Sequence, residues 1–522
     1  MIFHSPFPDV AISGVPFASF VLRHSDRLGD RPALIDASCG RVLTYADLAH
    51  QVGAVASGLA ARGFGQGSVL GMYAPNCPEF VVALLAVASL GGVATTVNHL
   101  ATADDLARQL HDAGASLLFT VPSLLDRALS GAAATAVREV IVVGEAPGAT
   151  PFAELGRAGG VAPAPVIRPD DVLLLPYSSG TTGLPKGVMI THGMAVANIC
   201  QSNVPHRVDP GDVVFCLPPF FHVYGAFILG LVLAGGGTLV MMPRFDLATF
   251  LAAVQRHKVT RAYLVPPVVL ALVNDPIVDT YDLSSLASIC SGAAPLGPDL
   301  HRRCQERLEC LVVQGYGLTE TSPVTHIGPM TGRRIKPGSV GPCVPNTACR
   351  VIDLETGADL GPNQRGELWI RGPQVMKGYL NRPDATAATI DADGWLRTGD
   401  IGYADEEGDF FLIDRLKELI KYKAYQVAPA ELEAVLLTHP AVADAAVIPS
   451  LDDEAGEVPK AFVVLKESVS AEELMSFVAA RVAPYKKVRR LEFIDQIPKS
   501  STGKILRRIL VERERAALLT TA

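Results

Sequence analysis

From about residue 30 to about residue 325 the sequence alternates amphipathic helical periods with short apolar runs, and this alternation restricts the fold more than any other feature. LTYADLAHQVGAVASGLAARG leads to SVLGMYA, then PEFVVALLAVASLGG to VATTV, and a second series runs from DVLLLPYSS through FDLATFLAAVQRHKV and RAYLVPP to about 325. Helix and strand in strict turn indicate parallel βαβ units, here enough for two α/β sheets. Between 335 and 413 the texture changes to short β-rich pieces separated by turn signals, as in GELWIRG and DGWLRTGDIGYADEEGDFFLID, which predicts a distorted antiparallel barrel. A charged stretch after Asp414 opens an α+β tail long enough for a small domain. The expected architecture is α/β, with a large N-terminal domain at 1–414 and a small C-terminal domain at 415–522.

Composition narrows the possible partners. The 522 residues carry 45 Lys and Arg against 53 Asp and Glu, a net charge of −8, so no overall field gathers a nucleic acid or an anionic membrane. The nine cysteines are scattered with no C-x-x-C pair, which supports neither a zinc cluster nor a disulfide framework. The apolar runs at 81–97 and 227–242 contain glycine pairs and fall short of a clean span of about 20 residues, so each reads as a buried helix followed by a buried strand. The opening MIFHSPFPDVAISGVPF lacks the basic start and apolar core of a signal peptide, and ALLTTA at the other end is no targeting tripeptide, so a cytoplasmic location is expected.

The strongest chemical signal is Pro176-Tyr-Ser-Ser-Gly-Thr-Thr-Gly-Leu-Pro-Lys-Gly187, directly after the strand DVLLL. Ser178, Ser179, Gly180, Thr181, Thr182 and Gly183 offer hydroxyls and unhindered backbone N–H groups to phosphate oxygens, and Lys186 adds positive charge. The alternative is a plain Ser/Gly turn. A Walker A loop is excluded because Gly187, not Ser or Thr, follows the lysine.

With this loop the chain resembles the adenylate-forming superfamily of acyl-CoA synthetases, carrier-protein adenylation domains and luciferases. The resemblance spans the chain through LPPFFHVYG (217–225), SGAAPLG (291–297), QGYGLTE (314–320), TGD (398–400), DRLKELIKYKAYQVAPAELE (414–433) and PKSSTGK (498–504). The wording is most similar to 4-coumarate and cinnamate CoA ligases. Some matched residues also carry a physical reading. Thr319 and Glu320 follow a Gly-Tyr-Gly turn where backbone can approach a nucleotide, and Glu320 suits Mg²⁺, which near phosphates takes only one or two carboxylates. Lys504, in a loop near the chain end, is placed to neutralise charge developing on phosphate. Ser501 and Lys504 also satisfy the S-x-x-K pattern of penicillin-recognising enzymes, but its companion motifs are absent.

The resemblance implies further roles. Asp400 and Arg415 meet the ribose; Gln314, Gly315, Tyr316, Lys417, Lys421 and Gln426 join the ATP and AMP contacts. His222 lines the substrate throat, and Tyr224, Gly292, Ala293, Gly315, Gly317, Pro323 and Val324 form an acyl pocket in which bare glycines leave a slot for a flat ring. Arg244, Lys423 and Ala424 correspond to coenzyme A contacts, and Lys417 to the hinge on which the small mobile domain turns between half-reactions. The implied reaction is ATP-dependent, Mg²⁺-assisted activation of a carboxylic acid as its adenylate, followed by thioester formation with coenzyme A. The expected acid is an aryl-propenoate, with a medium-chain fatty acid as alternative. A stand-alone enzyme loading a carrier protein and a non-catalytic adenylate-binding protein are the rival readings. Three positions depart from the pattern. Cys290 replaces the lysine common in plant enzymes, the stretch after Tyr224 is one residue shorter than theirs, and Ala424 replaces the glycine of KYKGxQVAP.

Overall fold

In the computed structural model the described residues are 1–157, 159–178, 185–330, 335–423, 425–452, 454–500 and 503–521, with side chains described through 516. Among them, two predominantly parallel sheets form the main body. One runs in the order Tyr177–Ser178, Lys186–Thr191, Val172–Leu174, Val93–Thr96, Val69–Tyr73, Leu117–Thr120, Glu139–Val142 and Thr150–Pro151, with Gly378–Tyr379 added beside Lys186–Thr191. The other runs Val324–Ile327, Leu311–Gly317, Ser288–Ser291, Arg261–Leu264, Val213–Cys216, Thr238–Met241, Pro32–Asp36 and Val42–Thr44.

The helices Pro78–Ser89 and Val223–Gly235 contribute to one hydrophobic core that joins both sheets, and almost every residue of each is buried. That environment explains their all-round apolar character: a helix packed on every side has no polar face. Each leads through a tight turn into a buried strand, Val93–Thr96 and Thr238–Met241, as the sequence reading expects. No helix of the described residues is long and apolar enough to cross a membrane.

Strand assignment by sequence order is corrected in one respect. The early strand Pro32–Asp36 pairs with Thr238–Met241 in the second sheet, whereas Val172–Leu174, just before the Ser/Thr/Gly run, joins the first sheet beside Val93–Thr96. Hydrophobic period reports that a segment is a strand but carries no information about its partner.

The third sheet is antiparallel throughout, in the order Ile2–His4, Ala348–Ile352, Gly366–Arg371, Leu396–Ala404 and Phe410–Arg415. Its last strand ends at Arg415, one residue past the expected domain boundary. Beyond it, Ile420–Tyr422, Tyr425–Val427, Val442–Asp452, Gly456–Leu465 and Arg490–Phe493 form a separate sheet, covered by the helices Pro429–Leu436 and Ala471–Ala479 around a core that includes Ile420, Leu432, Val447 and Val463. The result is the expected mixed α/β main body with an α+β C-terminal unit.

Candidate active site

A cavity of about 2880 Å³ opens between the main body and the C-terminal unit. On the main-body side, several of its residues come from the carboxyl ends of parallel strands, where open α/β sheets present their ligand-binding loops, and the antiparallel sheet and the C-terminal unit supply the rest of the lining. Gly292 follows Ser288–Ser291, Gly315 and Gly317 end Leu311–Gly317, and His222 lies in the turn after Val213–Cys216.

One end of the cavity is crowded with charge. Ser178 lies opposite Lys186 across two antiparallel strands, and its hydroxyl donates to Oε1 of Glu320 at 2.8 Å. The phenol of Tyr379 donates to the same oxygen at 2.9 Å, and the Lys186 ammonium sits 4.6 Å from the centre of the Tyr379 ring. Glu320 itself is only 8% exposed. It is set by a short turn, Thr319–Thr321, in which the Leu318 N–H donates to the Thr321 hydroxyl at 2.9 Å. Across the cavity, Asp400 and Arg415 face each other in neighbouring strands, with Arg415 Nε 3.1 Å from Asp400 Oδ1. Tyr316 donates its phenolic proton to Asp400 Oδ2 at 2.7 Å. Burial pushes the Asp400 carboxyl up, against the opposing pull of Arg415, Tyr316 and Lys504.

Lys504 reaches this end from the C-terminal unit. Its loop closes on itself: the Gly503 N–H donates to the Ser500 carbonyl, and the Ser500 N–H to the Lys504 carbonyl, both at 2.8 Å. Gly503 has φ 78°, a torsion that favours glycine, and a Cβ there would stand 3.0 Å from the Pro267 ring. The bare α-carbon therefore lets the loop rest on the main body and carry Lys504 into the cavity. Burial pushes the Lys504 ammonium below its ordinary value; Arg415 and Arg507 add to this, while Glu418 and Asp400 oppose it.

His222 stands between the two ends. It caps the helix Val223–Gly235, its Nδ1 accepting the Tyr224 N–H at 3.2 Å, so Nε2 carries the proton of the neutral ring. Burial, reinforced by Lys504, pushes its pKa down to about 4.

The other end is apolar, lined by Tyr224, Phe227, Tyr263, Cys290, Gly292, Gly315, Val324 and Ile327. The glycines expected to open a single slot divide by cause. At Gly292 a Cβ would lie 2.9 Å from the Tyr224 ring, so this glycine makes room for Tyr224. At Gly317 it would lie 1.8 Å from the Pro323 carbonyl, so that glycine serves the chain's own close packing. Only at Gly315 would it make ordinary van der Waals contact, 3.4 Å from the Ile327 side chain. Ala293 lines the same wall with φ 69°, and Pro323 lies beside Val324. Cys290 is buried, and desolvation pushes its thiol up to about 12, so this end has a neutral group where a lysine was the alternative.

Several expected residues do not line the cavity. Gln314 lies behind the wall, its side-chain oxygen accepting the Leu296 N–H at 2.8 Å. Lys421 and Gln426 pair across an exposed hairpin, with exposed Lys423 beside them, and Arg244 is exposed elsewhere on the main body. Lys417 sits on the cavity lip, its ammonium pushed down by burial and by Lys186. Ser179, Gly180, Thr181, Thr182, Gly183 and Ala424 lie outside the described residues.

Sequence reasoning missed Tyr379 and Tyr263. Tyr379 follows a glycine in MKGYL with no chemical companion nearby in sequence, and Tyr263 reads as one more apolar residue of RAYLV. Only three-dimensional pairing sets Tyr379 beside Lys186 and Glu320. Among the described residues no group of three or more His, Cys, Asp or Glu side chains could hold a metal ion by itself. A lone carboxylate, Glu320, fits Mg²⁺ when phosphates supply most of its ligands.

Comparison with known proteins agrees with this geometry. Residues 21–380 match the family model described as AMP-binding enzyme, and 431–504 that of the AMP-binding enzyme C-terminal domain. A 4-coumarate–CoA ligase of Pinus taeda is 43% identical, covering 98% of this chain and 97% of its own, and one of Petroselinum crispum is 42% identical over the same shares. The solved benzoate CoA ligase of Burkholderia xenovorans LB400 is 27% identical, with a TM-score of 0.85 over 95% of this chain and 99% of its own. The chain therefore belongs to the AMP-binding enzyme family and is an AMP-forming acid–thiol ligase of the adenylate-forming superfamily.

Proposed function

We propose that this ligase activates an aryl-propenoic acid, such as 4-coumarate or cinnamate, and passes it from the adenylate to coenzyme A. The supporting observation is the division of one cavity into a charged end and an apolar end lined by Tyr224 and bare glycines, with neutral His222 between them. ATP lies at the charged end, its ribose hydroxyls against Asp400 and Arg415 and its phosphates against Ser178, the Ser179–Gly183 segment, Thr319 and Lys186. The acid lies along Tyr224, Gly292, Gly315 and Val324, its carboxylate near His222, whose Nε2–H donates to it.

In the first half-reaction a carboxylate oxygen attacks the α-phosphorus and pyrophosphate departs. Lys504 and Lys186 stabilise the charge spread over the phosphate oxygens. Mg²⁺ held by Glu320 would offset phosphate charge when bound. In the second half-reaction the thiol attacks the acyl carbon and AMP leaves. The segment with exposed Lys421, Lys423 and Gln426 then replaces the Lys504 loop at the cavity, the C-terminal unit turning at Lys417, two residues beyond the last main-body strand. Arg244 and Lys423 meet the coenzyme's phosphates.

The test takes the two half-reactions separately. Pyrophosphate release on adding 4-coumarate without coenzyme A is expected, followed by AMP release only when coenzyme A is added. Discharge by a carrier protein's phosphopantetheine in place of free coenzyme A would overturn the acceptor assignment.

A further inference from the structure

Tyr379 touches both charges of the phosphate end, and neither contact follows from the motifs that announce Lys186 and Glu320. Its backbone is tied to both neighbours. Tyr379 pairs with Val188 and Gly378 with Met189, and the Lys377 and Leu380 N–H groups donate to the Met189 and Gly187 carbonyls at 3.0 and 2.8 Å. Met376 N–H, in the same segment, donates to the Glu320 carbonyl at 2.8 Å. Residues 376–380 thus bridge the strand that bears Lys186 and the turn that bears Glu320. The side chain repeats the bridge, its hydroxyl donating to Glu320 Oε1 while its ring face lies under the Lys186 ammonium. The ring is 6% exposed, so each contact forms with little competition from water.

Two hydroxyls, from Ser178 and Tyr379, converge on Oε1 of Glu320. Donors fixed on one oxygen restrain the carboxylate's rotation, and among the described residues both side-chain donors fall on Oε1, which leaves Oε2 to face a cation. The ring adds a second constraint, limiting the sweep of the flexible lysine stem so that its charge is already placed before nucleotide arrives.

We propose that Tyr379 is a positioning residue of the phosphate site: its hydroxyl orients Glu320 for Mg²⁺ and its ring seats Lys186, so that one side chain sets the spacing between the site's anion and its cation. This rests on the assignment of Glu320 and Lys186 to the nucleotide phosphates. Tyr379→Phe and Tyr379→Leu separate the two functions, because phenylalanine keeps the ring and loses only the hydroxyl.

The experiment is calorimetric titration of ATP into the full chain at stepped Mg²⁺ concentrations, alongside adenylation kinetics. Tyr379→Phe is expected to raise the Mg²⁺ needed for half-maximal ATP affinity about three- to tenfold, the scale of one hydrogen bond to a charged group, with the KM for the acid unchanged. Tyr379→Leu is expected to reproduce that shift and also to slow adenylation by about tenfold through the loosened Lys186. Glu320→Gln serves as the reference. A Phe variant with wild-type Mg²⁺ dependence, where Glu320→Gln shifts that dependence, overturns the role of Tyr379. Wild-type dependence in Glu320→Gln itself overturns the assignment of Glu320, and the proposal with it. The Phe variant decides the hydroxyl's role even if the leucine variant fails to fold.

Discussion

The two ends of the cavity are built on opposite terms. At the charged end the contacts are polar and specific: Ser178 and Tyr379 on Glu320, Tyr316 and Arg415 on Asp400. At the apolar end the chain supplies shape, a tyrosine ring accommodated by the missing side chain at Gly292 and a bare α-carbon at Gly315 facing Ile327. The first arrangement fixes the position of charge, which accelerates a reaction whose transition state spreads charge over phosphate. The second fixes only a volume, and one methylene in such a pocket changes selectivity by only about 10- to 200-fold. On the proposed reading, reaction type and acid preference reside in different residues and should respond to different mutations.

The largest effect is expected at Lys504. Lys504→Ala should slow adenylate formation by about 10²- to 10³-fold, the scale seen on removing one transition-state donor, while ATP binding survives. Single-turnover pyrophosphate release with a parallel ATP titration checks it, and near wild-type release would dissolve the contrast between the ends. The same lysine gives a pH signature. Burial pushes its ammonium below the ordinary 10.5, so its charge is lost as pH rises through a value lower than that of an exposed lysine. The adenylation rate should therefore fall on the alkaline side below pH 10.5, and Lys504→Ala should lack that limb. His222, pushed down to about 4, stays neutral from pH 6 upward and should contribute no acid limb in that range.

A mutation at the apolar end should leave ATP alone. Gly292→Ala places a Cβ 2.9 Å from the Tyr224 ring and is expected to raise the KM for the acid roughly tenfold, the scale of modest overpacking, with the KM for ATP unchanged. Gly315→Ala, with an ordinary 3.4 Å contact, should cost less, whereas Gly315→Leu should block aryl acids. A parallel rise in the ATP KM would show that the two ends are coupled. The smallest effect is expected at Ala424. Its neighbours Lys423 and Tyr425 are exposed and away from the cavity, so Ala424→Gly should leave pyrophosphate release unchanged and speed coenzyme A-dependent AMP release by about threefold to tenfold. Equal AMP release rates in both forms would mean that the second half-reaction accommodates the methyl.

The same division governs what could be read from the sequence. The charged end is written in contiguous runs, so Lys186, Glu320 and Lys504 carry a chemical reading before any fold is known, and the family resemblance adds Asp400 and Arg415. Such runs carry their own spacing and chemistry. Tyr379 is not visible, because its meaning arises only when Gly378–Tyr379 adds to the edge of Lys186–Thr191. The acyl wall is harder still: Gly292, Gly315 and Gly317 look alike in sequence, yet a Cβ at each would meet a tyrosine ring at 2.9 Å, the Ile327 side chain at an ordinary 3.4 Å and a backbone carbonyl at 1.8 Å respectively. The alternation of helix and strand foretold two α/β sheets but not that Pro32–Asp36 and Val172–Leu174 exchange places between them, since pairing is decided by long-range packing. Gln314, Lys421 and Gln426 lie off the cavity because a motif gives order along the chain and not the direction of each side chain.

The most direct measurement is the rate of coenzyme A-dependent AMP formation with 4-coumarate and cinnamate against medium-chain fatty acids under one set of conditions. A kcat/KM for the aryl-propenoates higher by at least about tenfold, as differential burial of a flat ring against Tyr224 implies, is the expected result. A higher kcat/KM for a medium-chain fatty acid would contradict the aryl assignment of the apolar end.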